Sequence, residues 1–162
     1  MVIIMAGVCF STWEVHLKFQ FPPDRYYDRV NHLWVQLNAK NQQATVGIDA
    51  LGLETLGDLA YVALPEVGAQ IERGKPIGTL EAAKMTSELI APISGRIVAR
   101  NEQVLRDPSR VKRDGYGEAW LFTIEPSAWS AESAQLVHGE AVSSWVESEI
   151  ERYQRQGWIH VS

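Results

Sequence analysis

The chain has 162 residues, 46% of them hydrophobic and 22% charged, an ordinary balance for a soluble globular protein with one real core plus appendages. A net charge of −5 with no block of Lys/Arg argues against nucleic acid or an anionic membrane as a partner. Cys9 is the single cysteine, which excludes an internal disulfide and a thiolate metal cluster, so redox chemistry would need an added group.

Residues 1–10 are apolar. They lack a preceding basic residue and a small-residue cleavage site, and they are too few to span a bilayer. The expected compartment is the cytoplasm. Trp13 to Phe21 alternates apolar and polar without a slip, which predicts a strand ended by Pro22-Pro23. Leu33–Leu37 and Ala44–Ile48 read as two strands of a hairpin joined by the polar residues 38–43. Asp49 is a candidate N-cap for a short helix near 49–56, closed by Gly57. Leu59–Leu64 is nearly continuous in apolar residues and is expected to lie in the core. From Pro65 to Gly95 short strands are punctuated by Gly and Pro. Val104–Val111 reads as a polar loop or helical turn, and Ala119–Ile124 as a last core strand ended by Pro126.

The tail differs from the rest. Val142, Trp145, Val146, Ile150 and Tyr153 fall at helical spacing, with Glu147, Glu149 and Glu151 on other faces. Gly157 is placed to stop that helix. The expected organisation is an N-terminal extension (1–30), a β-rich domain (31–130) and a C-terminal helical extension (131–162).

The residues offer little enzyme machinery. His16, His32, His138 and His160 are scattered and show no metal-ligand spacing. No nucleophile elbow, P-loop or dinucleotide fingerprint occurs. One feature stands apart. Lys84 lies between two short strand-like runs, at the tip of an expected hairpin spanning Ala82 to Thr86. The turn lacks the Asn-Gly or Gly of a two-residue primed turn, so a type I or longer loop is expected, pushing Lys84 outward. An amine there would suit acylation by a prosthetic group, which removes its charge. On spacing alone an ordinary solvated turn lysine is the favoured reading.

Several separated motifs resemble the glycine cleavage H protein family of lipoyl carriers. His32-Leu33-Trp34-Val35 is similar to the family's H-E-W-V, and Ala44–Ile48 to its A-T-V-G-I strand. Leu56-Gly57-Asp58, Tyr61-Val62 and Leu64–Gly68 resemble its L-G-D, Y-V and L-P-E-V-G segments. Glu81-Ala82-Ala83-Lys84 resembles the E-S-V-K that carries the lipoyl group, Ala91–Gly95 the S-P-V-S-G, and Asp114–Trp120 the D-P-Y-G-E-G-W. The resemblance runs from His32 to Pro126. It implies a mainly β barrel-sandwich hybrid fold, lipoate in amide linkage to Lys84, and Glu81 as the residue recognised by the lipoate-attaching enzyme. The related biotinyl motif A-M-K-M fits less well, because Ala83 stands where its first Met belongs. The resemblance further implies a carrier and not an enzyme. Its partners would be glycine decarboxylase, aminomethyltransferase and dihydrolipoyl dehydrogenase.

The departures matter equally. Family members rest the loaded arm in a cleft lined by polar residues of an S-H-E-W run and by an acid after the lipoyl lysine. Glu88 keeps that acid and His32 the histidine, but Asn31 stands at the serine position and Leu33 replaces the glutamate. A cationic aminomethyl group would favour the missing carboxylate. In this respect the chain is similar to the lipoate-binding proteins of heterodisulfide-reductase-like sulfur oxidation, in which the arm carries sulfur. An unmodified barrel serving as an interaction module is the third reading.

Overall fold

A computed structural model describes residues 19–159, together with the backbone of Val2–Met5 and Val8–Ser11. Those two N-terminal segments, β1 and β2, pair antiparallel. The expected strand at 13–21 lies outside the described residues as far as 18, and 19–21 form no strand. His16 and His160 also lie outside them.

Two open sheets form the body. The larger has six strands: β3 (Tyr26–Tyr27), β4 (Leu33–Leu37), β5 (Ala44–Ile48), β7 (Gln70–Ile71), β10 (Gly95–Arg100) and β11 (Phe122–Pro126). Their spatial order is β3-β4-β5-β11-β10-β7. The smaller has β6 (Leu59–Ala63), β8 (Pro76–Ala82) and β9 (Thr86–Ile90) in the order β6-β8-β9. The fold is a barrel-sandwich hybrid. Between the sheets lies an aliphatic core that includes Val35, Val46, Val62, Leu80, Leu89 and Ile97.

The β4–β5 hairpin forms with Leu33 opposite Ile48 and Trp34 opposite Gly47. That register explains two motifs at once. The indole of Trp34 lies across Gly47 so closely that a Cβ there would sit 2.4 Å from the ring. Trp34 Nε1 donates to the Gly115 carbonyl at 2.8 Å, which ties the 114–120 loop to the same sheet.

Helix α1 (Ala50–Leu56) starts where the sequence predicts. The carboxylate of Asp49 accepts from Leu51 N (3.0 Å) and Gly52 N (2.9 Å), capping two of the amides left unpaired at a helix start. The stretch expected to be a loop or helical turn holds α2 (Glu102–Arg106) and a 3-10 helix (Pro108–Lys112). The chain ends in α3 (Trp129–Ser133) and α4 (Ala141–Arg155). α4 covers a second, aromatic-rich cluster that includes Tyr27, Trp34, Leu51, Val146, Ile150 and Tyr153. Residues from both ends meet here: Tyr27 and Val137 exchange backbone hydrogen bonds, each 2.8 Å.

Three expectations need correction. Leu59–Leu64 is not buried throughout, because its sheet has one face on the core and one on solvent: Leu59 and Val62 face the core while Ala60 and Tyr61 are exposed. The last strand begins three residues late, at Phe122. Ala119 and Leu121 are buried but bond irregularly, Ala119 N to Asp114 O and Leu121 N to Val46 O, so apolar character there does not mean regular pairing. Glu149 does not lie on an exposed face. It stands four residues after Trp145 and three after Val146, hence on the apolar stripe, and it is buried.

Candidate functional site

Lys84 occupies the tip of the β8–β9 hairpin. Ala82 N donates to Met85 O at 3.0 Å, a bond that encloses Ala83 and Lys84 at the tip. The tip is fastened to the end of α1: Ala83 N donates to Asp58 O at 2.9 Å and Lys84 N to Leu56 O at 3.3 Å. Lys84 Nζ donates to Glu54 O at 3.0 Å. The last carbonyls of a helix lack partners within the helix, so this lysine's backbone and side chain both satisfy them. Its stem lies on Gly57, where a Cβ would sit 3.2 Å from Lys84 Cγ. Gly57 has φ +78°, ψ −148°, a region that glycine alone enters readily. The Leu56-Gly57-Asp58 motif therefore shapes the platform under Lys84.

Lys84 is exposed, and its side chain donates to a carbonyl. A secondary amide at Nζ would keep one N–H for that same carbonyl. The lysine thus suits acylation, and the hydrocarbon and dithiolane of a lipoyl group suit the apolar surface that flanks it. Glu81, three residues before it, is exposed on β8 opposite Tyr61 and Thr86.

Beside the hairpin is a cleft of about 190 Å³. Asn31, His32, Leu33 and Glu88 all line it, with Thr55 and Met85 among the other lining residues. The four residues named from sequence are therefore brought together, and their characters differ. Glu88 and Asn31 are exposed, with the Asn31 amide donating to Asp28 Oδ2 at 3.1 Å. Leu33 and His32 are each only 2% exposed.

His32 has no nitrogen to spare for a ligand. Nδ1 lies 2.8 Å from Asp49 Oδ2 and Nε2 lies 3.0 Å from Glu149 Oε1. Burial disfavours its charged form, but the Asp49 and Glu149 carboxylates outweigh burial and raise its pKa to about 9. At neutral pH the ring is an imidazolium donating to both acids. Glu149 is opposed by burial as well, yet bonds from His32 and Arg152 hold it down at about 2. Arg152 grips it through Nε (2.6 Å) and Nη2 (3.0 Å). The His32 ring also stacks on Trp145 at 5.3 Å and meets Tyr153 edge-on at 5.1 Å. His32 is thus the bolt between the capped start of α1 and helix α4.

The acid partners escape sequence reasoning. Asp49 is legible only as an N-cap, and Glu149 is separated from His32 by 117 positions. The signal for Glu149 was its place on the helix's apolar stripe. Tyr153, which with Trp158 lines a cavity shared with Lys84, reads from sequence as part of the helix's apolar stripe.

Residues 25–149 match the family model described as Glycine cleavage H-protein. The chain belongs to the glycine cleavage H-protein family. The match begins before and ends after the segment His32–Pro126 that carries the motifs. A glycine cleavage system H protein of Synechococcus sp. (strain WH7803) is 39% identical over 111 residues, 68% of this chain and 83% of that protein. Glycine cleavage system H protein 3 of Aquifex aeolicus (strain VF5) is 32% identical over 146 residues, 88% of this chain and 89% of that one. The crystal structure of a glycine cleavage system H protein from Mycobacterium marinum superposes with TM-score 0.67 at 34% identity, covering 80% of this chain and 98% of that one. Members of this H-protein family are carriers of lipoate and not catalysts, and the chain is a carrier subunit of that kind. Among the described residues no group of three or more His, Cys, Asp or Glu is placed to hold a metal ion. No described helix is long and apolar enough to cross a membrane.

Proposed function

We propose that this chain carries lipoate in amide linkage to Lys84 and presents it to partner enzymes, most suitably with a sulfur fragment as cargo. The observation that carries the cargo assignment is Leu33: it lines the arm cleft, buried, at the position of the family's glutamate. A cationic amine entering there meets aliphatic surface, and His32 beside it is itself a cation. The uncharged or anionic character of thiol-bound sulfur does not require the missing carboxylate. The bound dithiolane supplies reversible thiol–disulfide chemistry and a tether of high effective concentration. The protein's own part is to hold the hairpin tip rigid, to offer Glu81 to the lipoate-attaching enzyme, and to shape the cleft. The partners in this reading are a lipoate-attaching enzyme and a heterodisulfide-reductase-like complex, in the cytoplasm.

A second reading is an aminomethyl carrier for glycine decarboxylase, aminomethyltransferase and dihydrolipoyl dehydrogenase. Glu88 favours it, because this acid lines the same cleft, and so do the names of the relatives. One experiment separates the two. The lipoylated protein is incubated with glycine and glycine decarboxylase, and the mass of the Lys84 adduct and carbon dioxide release are followed. Loading at the rate of a glycine cleavage H protein would establish the second reading. A lipoylated chain that does not load, and that accepts sulfur from a persulfide donor, supports the first. If no adduct forms after co-expression with a lipoate ligase, the barrel is an interaction module.

A further inference from the structure

Helix α4 closes in a Schellman turn. Gly157 takes φ +74°. Its N–H donates to Gln154 O at 3.0 Å, and the Trp158 N–H donates to Tyr153 O at 2.9 Å. This pair of bonds folds the chain back, so that residue 158 lies over residue 153. The two rings meet edge to face, with centroids 5.1 Å apart at 80°. The next residue, Ile159, is buried in the cluster beneath α4. Trp158 is therefore held from both sides, yet it remains 49% exposed. The fixed, half-exposed indole leaves apolar surface open to a neighbouring group.

What lies beside it is the attachment lysine. Tyr153, Gly157 and Trp158 line a cavity of about 610 Å³ together with Thr55, Lys84 and Met85. That volume suits a small organic group. Lys84 supplies the one ionised side chain among these residues, and acylation would remove its charge. All three tail residues lie beyond the family match, which ends at 149.

We propose that this aromatic pocket seats the dithiolane of the unloaded arm, folded back from Lys84, as a resting place distinct from the cleft lined by Leu33 and Glu88. The inference rests on the reading that Lys84 is lipoylated. A dithiolane is apolar and polarizable, and its sulfurs make favourable contacts with the rings of Tyr153 and Trp158. The thioether of Met85, itself 47% exposed, lies on the same path. Thr55, Met85 and Tyr153 line both the pocket and the cleft, so an arm leaving one seat for the other passes these three side chains. Seating the closed disulfide against the indole shields it from stray thiols until a partner enzyme draws it out.

The test uses the full-length lipoylated protein, with intact mass first showing the adduct on Lys84. The rate at which a water-soluble phosphine reduces the lipoyl disulfide is then compared between wild type and Trp158→Ala. Loss of the indole shield is expected to speed reduction about fivefold. A lipoyl group labelled with 13C should also show proton cross-peaks to the Trp158 indole in the wild type. Equal reduction rates and no cross-peak would overturn the resting site while leaving the carrier reading intact. Absence of the adduct would overturn the carrier reading, and the resting site with it.

Discussion

His32 Nε2 lies 3.0 Å from Glu149 Oε1, although 117 positions separate the two residues. Through this contact the start of the β4–β5 hairpin is joined to the final helix. The other ring nitrogen holds Asp49, the N-cap of α1, and α1 in turn supplies the carbonyls that position Lys84. The ion cluster and Lys84 thus lie at opposite ends of one seven-residue helix.

The cluster should give the protein a characteristic pH dependence. In the folded state His32 titrates near 9 against an ordinary 6.5, because Asp49 and Glu149 overcome the penalty of burial. Its contribution is full below about pH 6.5 and is lost as pH rises through about 9. Glu149 is held near 2 against an ordinary 4.5, so its contribution is full above about 4.5 and is lost as pH falls through about 2. Urea unfolding should therefore show greatest stability between about pH 4.5 and 6.5, with a loss on the order of 3 kcal/mol on the alkaline side. In a His32→Asn variant that alkaline slope should disappear. Equal slopes in the two proteins would mean that the imidazolium is not its source.

Gly57→Ala should damage the lysine platform. Alanine is strained at φ +78°, ψ −148°, at a cost of about 1–3 kcal/mol, and its Cβ would press on the stem of Lys84. The expected result is a lower urea midpoint together with slower gain of lipoyl mass in the presence of a lipoate ligase. A variant acylated as fast as wild type would show that the hairpin tip does not depend on this contact.

Local chemistry made much of this fold legible. Asp49 and Gly57 bracket α1 because caps act within a few residues, and Gly157 ends α4 for the same reason. The alternation and turn residues around 33–48 were enough for the β4–β5 pairing, whereas Asn31, His32, Leu33 and Glu88 were grouped only through the family resemblance. What stayed hidden depends on contacts distant in sequence. The helical pattern puts Glu149 with its acidic neighbours until His32 is known to lie beneath α4. Leu59–Leu64 reads as core until one face of its sheet is known to meet solvent. Trp158 looks like a tail residue until the Schellman turn folds it toward Lys84.

Gln154 offers a stabilising change. It is buried at 5% exposure, and neither its Nε2 nor its Oε1 has a hydrogen-bond partner among the described residues. A buried amide left unpaired costs about 1–3 kcal/mol, whereas an apolar side chain of similar size does not carry that cost. Gln154→Met keeps the length and helical preference of the side chain. It should raise stability by about 1 kcal/mol, seen as a higher thermal midpoint with the lipoylation rate unchanged. A lower midpoint would show that the amide is satisfied in solution.

Leu33→Glu tests the cargo assignment most directly. The position is 2% exposed, so an inserted carboxylate is expected to cost about 3 kcal/mol of stability by urea titration. It also restores an anion to the cleft, opposite Glu88 and beside the His32 imidazolium. If the leucine is what disfavours an aminomethyl cargo, the lipoylated variant should load from glycine and glycine decarboxylase faster than wild type, and it should retain the adduct longer before releasing it as formaldehyde. Both effects are read from the mass of the Lys84 adduct over time. Loading and retention identical to wild type, in a variant shown to be folded by circular dichroism, would remove Leu33 as the determinant and return the chain to the aminomethyl-carrier reading that Glu88 favours.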